Sequence, residues 1–216
     1  MKFFKIKSYA KLNLSLNVIK KIPKKLHAIE SLVTFINFYD LIYIRETRAS
    51  KHKIKFLGKF SKNISKNNTV NKLLNLLDKK NLLKGKKFEI KIIKNIPQKS
   101  GMGGGSMNAS SVAKFFLTRK IINLSKKNIN NIMKSVGSDV PLGMNLKNTI
   151  ISKTGKLTIK KKKIGLYTLI VKPNFGCSTE SVYLTTKIQS KPRYDNPKAN
   201  FFSIKNIINS NNDLEK

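Results

Sequence analysis

A glycine-rich segment between a strand pattern and a helix pattern constrains this chain more than any other feature. Four glycines fall within five residues: Gly101, Gly103, Gly104 and Gly105. Residues 87–94, just before the segment, alternate apolar and polar side chains, which predicts a strand with one buried face. The apolar residues after the segment recur at helical spacing: Ala109, Val112, Ala113 and Phe116. The sequence therefore predicts a strand, a glycine loop and a helix in succession.

A loop of this kind is suited to binding an anion. Glycine adopts positive φ angles and lets a phosphate approach the backbone, and the N–H groups at a helix start attract negative charge. The alternatives are a flexible turn and, for Ser106 and Asn108, simple capping of the helix. The segment lacks the Gly-x-x-x-x-Gly-Lys-Ser/Thr pattern of P-loop proteins. No acidic residue follows about 20 positions later, as a dinucleotide-binding fold would require.

A second segment, Ala10 to Leu14, lies in a predicted strand near the start of the chain. Four apolar residues occupy alternate positions there: Leu12, Leu14, Leu16 and Val18. This pattern predicts a strand with one buried face, so Lys11 and Asn13 share the other, polar face. On pattern alone, Lys11 is interpreted as a solvated side chain and His27 as an ordinary strand histidine.

A third segment, Ser138 to Pro141, follows Gly137, which ends a predicted helix at Val136. Asp139 within it is one of only ten acidic residues in the chain. On pattern alone, the segment is interpreted as a plain turn.

These three segments, in this order, resemble the motifs of the GHMP kinases, a family of small-molecule kinases. The resemblance covers essentially the whole chain and implies an α+β fold of two domains. Residues 1–163 would form the ATP-binding domain, with a fold shared by ribosomal proteins, and residues 164–216 the start of an incomplete ferredoxin-like substrate domain. The implied reaction is ATP-dependent phosphorylation of the 2-hydroxyl of a cytidyl diphosphate sugar alcohol, a step of non-mevalonate isoprenoid synthesis.

The resemblance also implies roles for individual residues. Asp139 would be the catalytic base and Lys11 the cation beside the reacting hydroxyl. Asn13, His27 and Thr179 would bind the substrate. Magnesium would bridge the ATP phosphates without a dedicated protein ligand. The implied ATP-binding residues are Pro97, Gln98, Lys99, Ser100, Gly101, Met102, Gly103, Gly104, Gly105, Ser106 and Met107.

Departures from the family pattern leave two other classes of function open. Leu26 stands where the family has an aromatic residue that holds the cytosine, and Lys99 and Ser100 stand where it has glycines. A degenerate, non-catalytic relative would explain these losses. The net charge of +35 is compatible with a basic RNA-binding protein, although the lysines are spread along the chain without an arginine-rich arm.

The composition sets limits on the class of protein. With one cysteine, Cys177, the chain has no intramolecular disulfide and no cysteine-based zinc site, which fits a reducing cytoplasm. No apolar run approaches the ~20 residues that cross a membrane, and no signal-peptide core is present. The positive field would help recruit an anionic nucleotide or diphosphate substrate. Oligomeric state is left open.

The remaining patterns predict the other elements. We expect Tyr39 and Asp40 to form a turn between two strands, His52 to lie on the surface, and residues 148–163 to form a strand pair around Gly155. A strand is predicted at 166–171 and a short helix at 201–208. The resemblance to the family implies that residues 212–215 begin a long helix.

We also expect the chain to be incomplete as a kinase. Similar enzymes carry another glycine motif after the position of residues 212–215, but no glycine follows Gly176. The apolar faces of residues 166–171 and 201–208 would then be uncovered, which is an aggregation liability.

Overall fold

The computed structural model describes residues 2–22, 27–161, 165–172, 182–183, 190–194 and 200–215. Contacts divide the chain into two compact units that interleave along the sequence. The first unit comprises Met1–Ala10, Asn37–Gln98 and Met102–Asn145, and the second comprises Lys11–Ile36, Lys99–Gly101 and Leu146–Lys216. The division into domains 1–163 and 164–216 remains a prediction.

The protein is an α+β structure, as predicted. The strands are β1 (Phe4–Lys20), β2 (Ala28–Thr47), β3 (Lys53–Leu57), β4 (Lys87–Ile93), β5 (Thr149–Ile151) and β6 (Leu157–Ile159). The helices are α1 (Thr69–Lys79), α2 (Gly104–Thr118), α3 (Lys126–Val136) and α4 (Ile204–Ile208), with a 3₁₀ helix at Val140–Met144. Strand β1 pairs with β2. None of the helices in the described ranges is long and apolar enough to span a membrane.

In the first unit, β4 is the central element. It pairs antiparallel with the carboxyl-terminal half of β2, from Leu41 opposite Ile93 to Thr47 opposite Lys87, and parallel with β3. Helix α1 makes the crossover that a parallel pair requires. The apolar faces of α1, α2 and α3 share one core with this sheet. The side chains of Asn68 and Ser125 cap α1 and α3.

In the second unit, the amino-terminal half of β2 pairs antiparallel with β5, and β5 and β6 form the predicted strand pair around Gly155. Two smaller apolar clusters stabilise this unit. One is centred on Leu32, Ile150, Tyr194 and Phe202, and the other on Leu16, Val18 and Tyr183.

The predicted turn at Tyr39 and Asp40 is wrong, because β2 runs through it without a break. A carboxylate inside a strand usually marks the end of an apolar run, but Asp40 is fully buried and forms an ion pair with Lys94 just after β4. Tertiary pairing therefore overrides the local turn signal of this aspartate.

The expectation that β1 has one polar, open face is also wrong. Ser15 and Asn17, predicted on the polar face, are 0% and 3% exposed, and Lys11 is 6% exposed. Ser15 is covered inside the second unit, where the Leu32 N–H donates to its Oγ at 3.2 Å, whereas Asn17 Nδ2 is buried without a hydrogen-bond partner among the described residues.

His52 is not a surface residue. Its side chain is 9% exposed, its Nε2 lies 3.1 Å from Asp78 Oδ2, and its Nδ1 accepts a hydrogen bond from the Phe88 N–H at 3.0 Å. Burial lowers the pKa of His52, and the nearby Asp78 carboxylate opposes that effect. The sequence pattern missed this because the partners come from α1 and β4.

The strand predicted at 166–171 is absent from the structure, and so is the helix predicted to begin at 212–215. Within the described residues the first segment has no strand to pair with, and an unpaired backbone gains nothing from an extended ladder. Leu169 and Val171 are 90% and 80% exposed, as expected for an uncovered apolar segment. In residues 201–208 the pattern is mixed, because Phe202 is buried whereas Ile204 and Ile208, in α4, are exposed.

Candidate active site

The predicted strand, glycine loop and helix occur as β4, residues 94–103 and α2. Just after β4, the Lys94 N–H donates to the Leu57 carbonyl at 2.7 Å, and Ile96 is fully buried. Pro97 is buried as well. The Gln98 side chain donates to the carbonyls of Phe60 and Lys62 at 2.9 and 2.6 Å. The start of the loop is thus anchored before the glycines begin.

Two glycines of the loop have the positive φ angles that favour glycine. Gly101 has φ 71° and Gly103 has φ 66°, and Lys99 shares this region with φ 52°. Gly103 is the residue that caps α2, so helix α2 begins without a capping side chain. The N–H groups of a first helical turn have no partner within the helix, so they are available for an anion.

Gly104 and Gly105 are required by packing rather than by their φ angles. A Cβ atom on Gly104 would lie 3.0 Å from Ile96 Cγ2 and 3.1 Å from Lys94 Nζ. A Cβ atom on Gly105 would lie 3.3 Å from Thr69 Oγ1, which also donates to the Gly105 carbonyl at 2.6 Å. These two glycines therefore let the start of α2 approach β4 and α1 closely.

The side chains near the start of α2 point mostly into the protein. Met102, Met107 and Asn108 are buried, so the first two can offer a ligand only their backbone. Asn108 lies inside the helix, so the suggestion that it caps α2 is wrong, and Ser106 is not the cap either. Among the described residues, Asn108 Oδ1 and Ser110 Oγ are buried atoms without a hydrogen-bond partner.

The segment that carries Asp139 lies beside the start of α2. Gly137 ends α3, and a Cβ atom on it would lie 3.9 Å from Ser106 Oγ. Asp139 is half-buried, and its carbonyl accepts from the Leu142 N–H at 3.1 Å. The 3₁₀ helix then packs tightly on α2, since a Cβ atom on Gly143 would lie only 2.7 Å from Ser110 Oγ.

Lys11 and Asn13 lie together in the second unit. Lys11 Nζ donates to Asn13 Oδ1 at 3.1 Å, which confirms that the two side chains share a face of β1. Ser31 Oγ lies 3.3 Å from the same Asn13 oxygen and donates to the Ser15 carbonyl at 2.6 Å. A chain of neutral hydrogen bonds from β2 thus orients the amide that holds the lysine.

His27 comes directly before β2 and is stacked on Tyr183, with ring centroids 5.4 Å apart and 20° between the ring planes. Its Nδ1 atom is buried and has no hydrogen-bond partner among the described residues. Tyr183 was missed by sequence reasoning, because nothing in its local pattern distinguishes it from a packing residue. Thr179, the third predicted substrate ligand, and Leu26 lie outside the described residues.

No group of three or more His, Cys, Asp or Glu side chains that could hold a metal ion occurs in the described part of the chain. Asp139 follows Gly137 by two residues in the segment beside the start of α2, and Asp40 is engaged by Lys94 and by backbone N–H groups.

Comparison with known proteins gives consistent matches. Residues 68–147 match the family described as GHMP kinases N terminal domain. A 4-diphosphocytidyl-2-C-methyl-D-erythritol kinase of Pelagibacter ubique (strain HTCC1062) is 52% identical over all 216 residues, which span 76% of that protein. The kinase of the same name from Clostridioides difficile (strain 630) is 34% identical over 185 residues, covering 85% of this chain and 62% of that protein.

The fold also has solved counterparts. The crystal structure of a 4-(cytidine 5'-diphospho)-2C-methyl-D-erythritol kinase matches with a TM-score of 0.62 and 18% identity, covering 85% of this chain and 65% of the other. The described architecture is therefore that of the GHMP kinases.

Proposed function

The chain belongs to the 4-diphosphocytidyl-2-C-methyl-D-erythritol kinases of the GHMP kinase family, and we propose that it phosphorylates the 2-hydroxyl of 4-diphosphocytidyl-2-C-methyl-D-erythritol with ATP. This reaction is a step of non-mevalonate isoprenoid synthesis. The observation that carries the proposal is the glycine loop that leads into α2. Gly103 precedes this helix in the left-handed conformation and provides no capping side chain, and the Asp139 segment lies beside the helix start.

The proposed ATP site is residues 97–107. The N–H groups at the start of α2 suit the phosphate chain, because they lack helical partners and lie at the positive end of the helix dipole. Since the Met102 side chain is buried and the Gln98 side chain is engaged by two carbonyls, these two residues would act through their backbone, whereas the Met107 N–H already donates to the Gly103 carbonyl at 2.8 Å. Ser106 keeps a half-buried hydroxyl beside the Asp139 segment.

The proposed catalytic residues are Asp139 and Lys11. Asp139 would accept the proton of the substrate hydroxyl as that oxygen attacks the γ-phosphate. Lys11 would stabilise the negative charge that develops on the oxygen. The hydrogen bond from Lys11 to Asn13 supports this role, because it holds a buried ammonium group in one place on β1.

The proposed substrate ligands are Asn13, His27 and Thr179. Tyr183 adds an aromatic face beside His27, and bases stack readily on such faces. The unpartnered Nδ1 of His27 offers a hydrogen-bonding atom for a base edge.

Magnesium bound to ATP would bridge its phosphates and neutralise charge during transfer. Asp139, in the segment beside the start of α2, is the carboxylate that would contact the ion. We further propose a cytoplasmic enzyme that acts on small molecules without a membrane or nucleic-acid partner.

The test is ATP turnover by the purified chain with and without the cytidyl substrate. We expect turnover only when that substrate is added. Binding of ATP without turnover in the presence of the cytidyl substrate would indicate a non-catalytic relative. Salt-sensitive RNA binding without ATP binding would indicate a basic RNA-binding protein.

A further inference from the structure

A buried ion pair lies directly under the glycine loop in the first unit. Asp40 and Lys94 are placed one position beyond the last paired residues of the β2–β4 ladder, Leu41 and Ile93. Lys94 Nζ donates to Asp40 Oδ2, and the two residues are 4% and 0% exposed. The pair is thus sealed from solvent at the end of β4 that leads into the loop.

Asp40 fixes the backbone that enters the loop. Its second oxygen, Oδ1, accepts hydrogen bonds from the N–H groups of Asn95 and Ile96, both at 2.8 Å. The Asn95 side chain in turn donates to the Tyr39 carbonyl at 2.9 Å. One carboxylate therefore orders the two residues that precede Pro97.

Lys94 connects this arrangement to the start of α2. Its Nζ lies 3.1 Å from the position of a Cβ atom on Gly104, and Ile96 Cγ2 lies 3.0 Å from the same position. The Lys94 ammonium group and the Ile96 side chain therefore pack directly against Gly104, the first residue of α2.

Stability alone does not explain this pair. A cation at the positive end of a helix is unfavourable, and an apolar pair of similar volume is often as stable as a buried ion pair or more so. Burial lowers the pKa of Lys94, and Asp40 only opposes that effect. What the pair does provide is a fixed geometry directly beneath the first turn of α2.

We infer that Asp40 and Lys94 are positioning residues for the nucleotide: they hold the entry to the glycine loop and the first turn of α2 in the geometry that binds the phosphate chain. The inference rests on the proposed function, because it takes ATP as the ligand of the loop. Asp40 and Lys94 would thus affect ATP binding although neither belongs to the glycine motif.

The test compares two ion pairs on the same ladder in the full chain. The first variant is Asp40→Asn/Lys94→Gln, which removes both charges while keeping side chains of similar size. The matched control is Arg45→Gln/Glu89→Gln, since Arg45 and Glu89 are cross-strand partners in β2 and β4, with Arg45 Nη2 2.5 Å from Glu89 Oε2. Each protein is assayed for kcat, for KM of ATP and of the cytidyl substrate, and for binding of inorganic tripolyphosphate.

For the Asp40→Asn/Lys94→Gln protein we expect a KM for ATP about ten-fold higher than the parental value and tripolyphosphate binding about ten-fold weaker. The reason is that a displacement of about 1 Å in a positioning group can lower the catalytic rate by up to about 10²-fold. The KM for the cytidyl substrate should not change. The control pair should leave all four quantities unchanged. A purely structural role would instead lower the amount of folded enzyme and leave both KM values as they are.

A second variant covers the case in which the double variant does not fold. Asp40→Asn/Lys94→Met removes both charges, keeps an oxygen acceptor for the Asn95 and Ile96 N–H groups and replaces the lysine with an apolar side chain of similar length, so it should fold and still show the increased KM for ATP. Parental affinity for ATP and tripolyphosphate in whichever of these variants folds would overturn the inference. Failure of the parental chain itself to bind ATP would instead overturn the proposed function.

Discussion

The two compact units hold their candidate functional groups in different ways. In the first unit the candidate phosphate-binding groups are backbone N–H donors, placed by the left-handed Gly103 and by a buried ion pair beneath them. In the second unit the candidate groups are side chains, Lys11, Asn13 and His27, held by hydrogen bonds to neutral groups and by ring stacking. A substitution that adds side-chain atoms should therefore disrupt binding at the backbone site, whereas a substitution that removes side-chain atoms should disrupt binding at the side-chain site.

The largest expected effect is on the chemical step. Asp139→Asn should lower kcat by about 10²-fold or more, because general-base catalysis typically contributes that much, and ATP binding should persist. Lys11→Ala should behave likewise. Steady-state kinetics and ATP titration measure the two quantities separately. Asp78→Asn, which removes a carboxylate of the same unit that contacts His52, is the control for loss of a negative charge.

Near-parental turnover in either catalytic variant would remove that residue from the proposed mechanism. If Asp139→Asn lost ATP binding, the Asp139 carboxylate would take part in binding ATP. The first unit would then bind ATP with a side chain as well as with backbone N–H groups, and it would differ less from the second unit.

The addition of atoms to the backbone site should have the next largest effect. In Gly104→Val the new side chain would press against Ile96 and Lys94, at the distances given above, so overpacking should cost about 1–3 kcal/mol of unfolding free energy and ATP binding should be lost. Denaturant unfolding and ATP titration are the measurements. Gly165→Val is the matched control, because a Cβ atom there meets nothing within 4 Å. Normal ATP binding by Gly104→Val would contradict the phosphate cradle.

The removal of a ring from the side-chain site should have a smaller effect. Tyr183→Leu should weaken binding of the cytidyl substrate by about 1–3 kcal/mol, the usual value for one base stacked on one aromatic ring. Its KM for ATP should be unchanged. Tyr183→Phe keeps the ring and should restore the affinity. If the leucine and phenylalanine variants have equal KM values for the cytidyl substrate, the ring pair does not bind the base.

The smallest expected effect is a pH dependence of the unfolding free energy, caused by His52, which lies in neither of the two sites. Since burial lowers the pKa of His52 below its ordinary value of 6.5, the unfolded chain takes up the proton first as the pH falls. The unfolding free energy should therefore be full above pH 6.5 and decrease as the pH falls toward the folded-state pKa, by about 1.4 kcal/mol per unit of pKa difference.

His52→Gln should lose this component of the pH dependence, which is measured as the difference between the two denaturation series. An identical slope in both proteins would show that the proton uptake occurs elsewhere. ATP affinity should be the same in both, because His52 is bonded to α1 and β4 rather than to the loop.

Local patterns predicted the elements of the first unit well, and the reasons are physical. Helices α1 and α3 each have a capping residue and an apolar stripe within one stretch of sequence, Asn68 before Leu73 and Leu77, and Ser125 before Ile132. The same reasoning failed at Asp40 and Asn108, whose hydrogen-bonding groups suggested a turn and a cap. Their burial depends on partners distant in the chain or on the packing of a whole helix.

By itself, the sequence determined the α+β class, the strand, glycine loop and helix succession, the shared face of Lys11 and Asn13, and the family, because each depends on the spacing of neighbouring residues. Only the tertiary structure decided that Lys94 lies beneath Gly104, that Tyr183 stacks on His27, and that Gly137 brings the Asp139 segment beside Ser106. Contacts between residues tens of positions apart leave no period in a single sequence. They arise when strand register and helix packing bring those residues together, so they can be seen only in the folded chain.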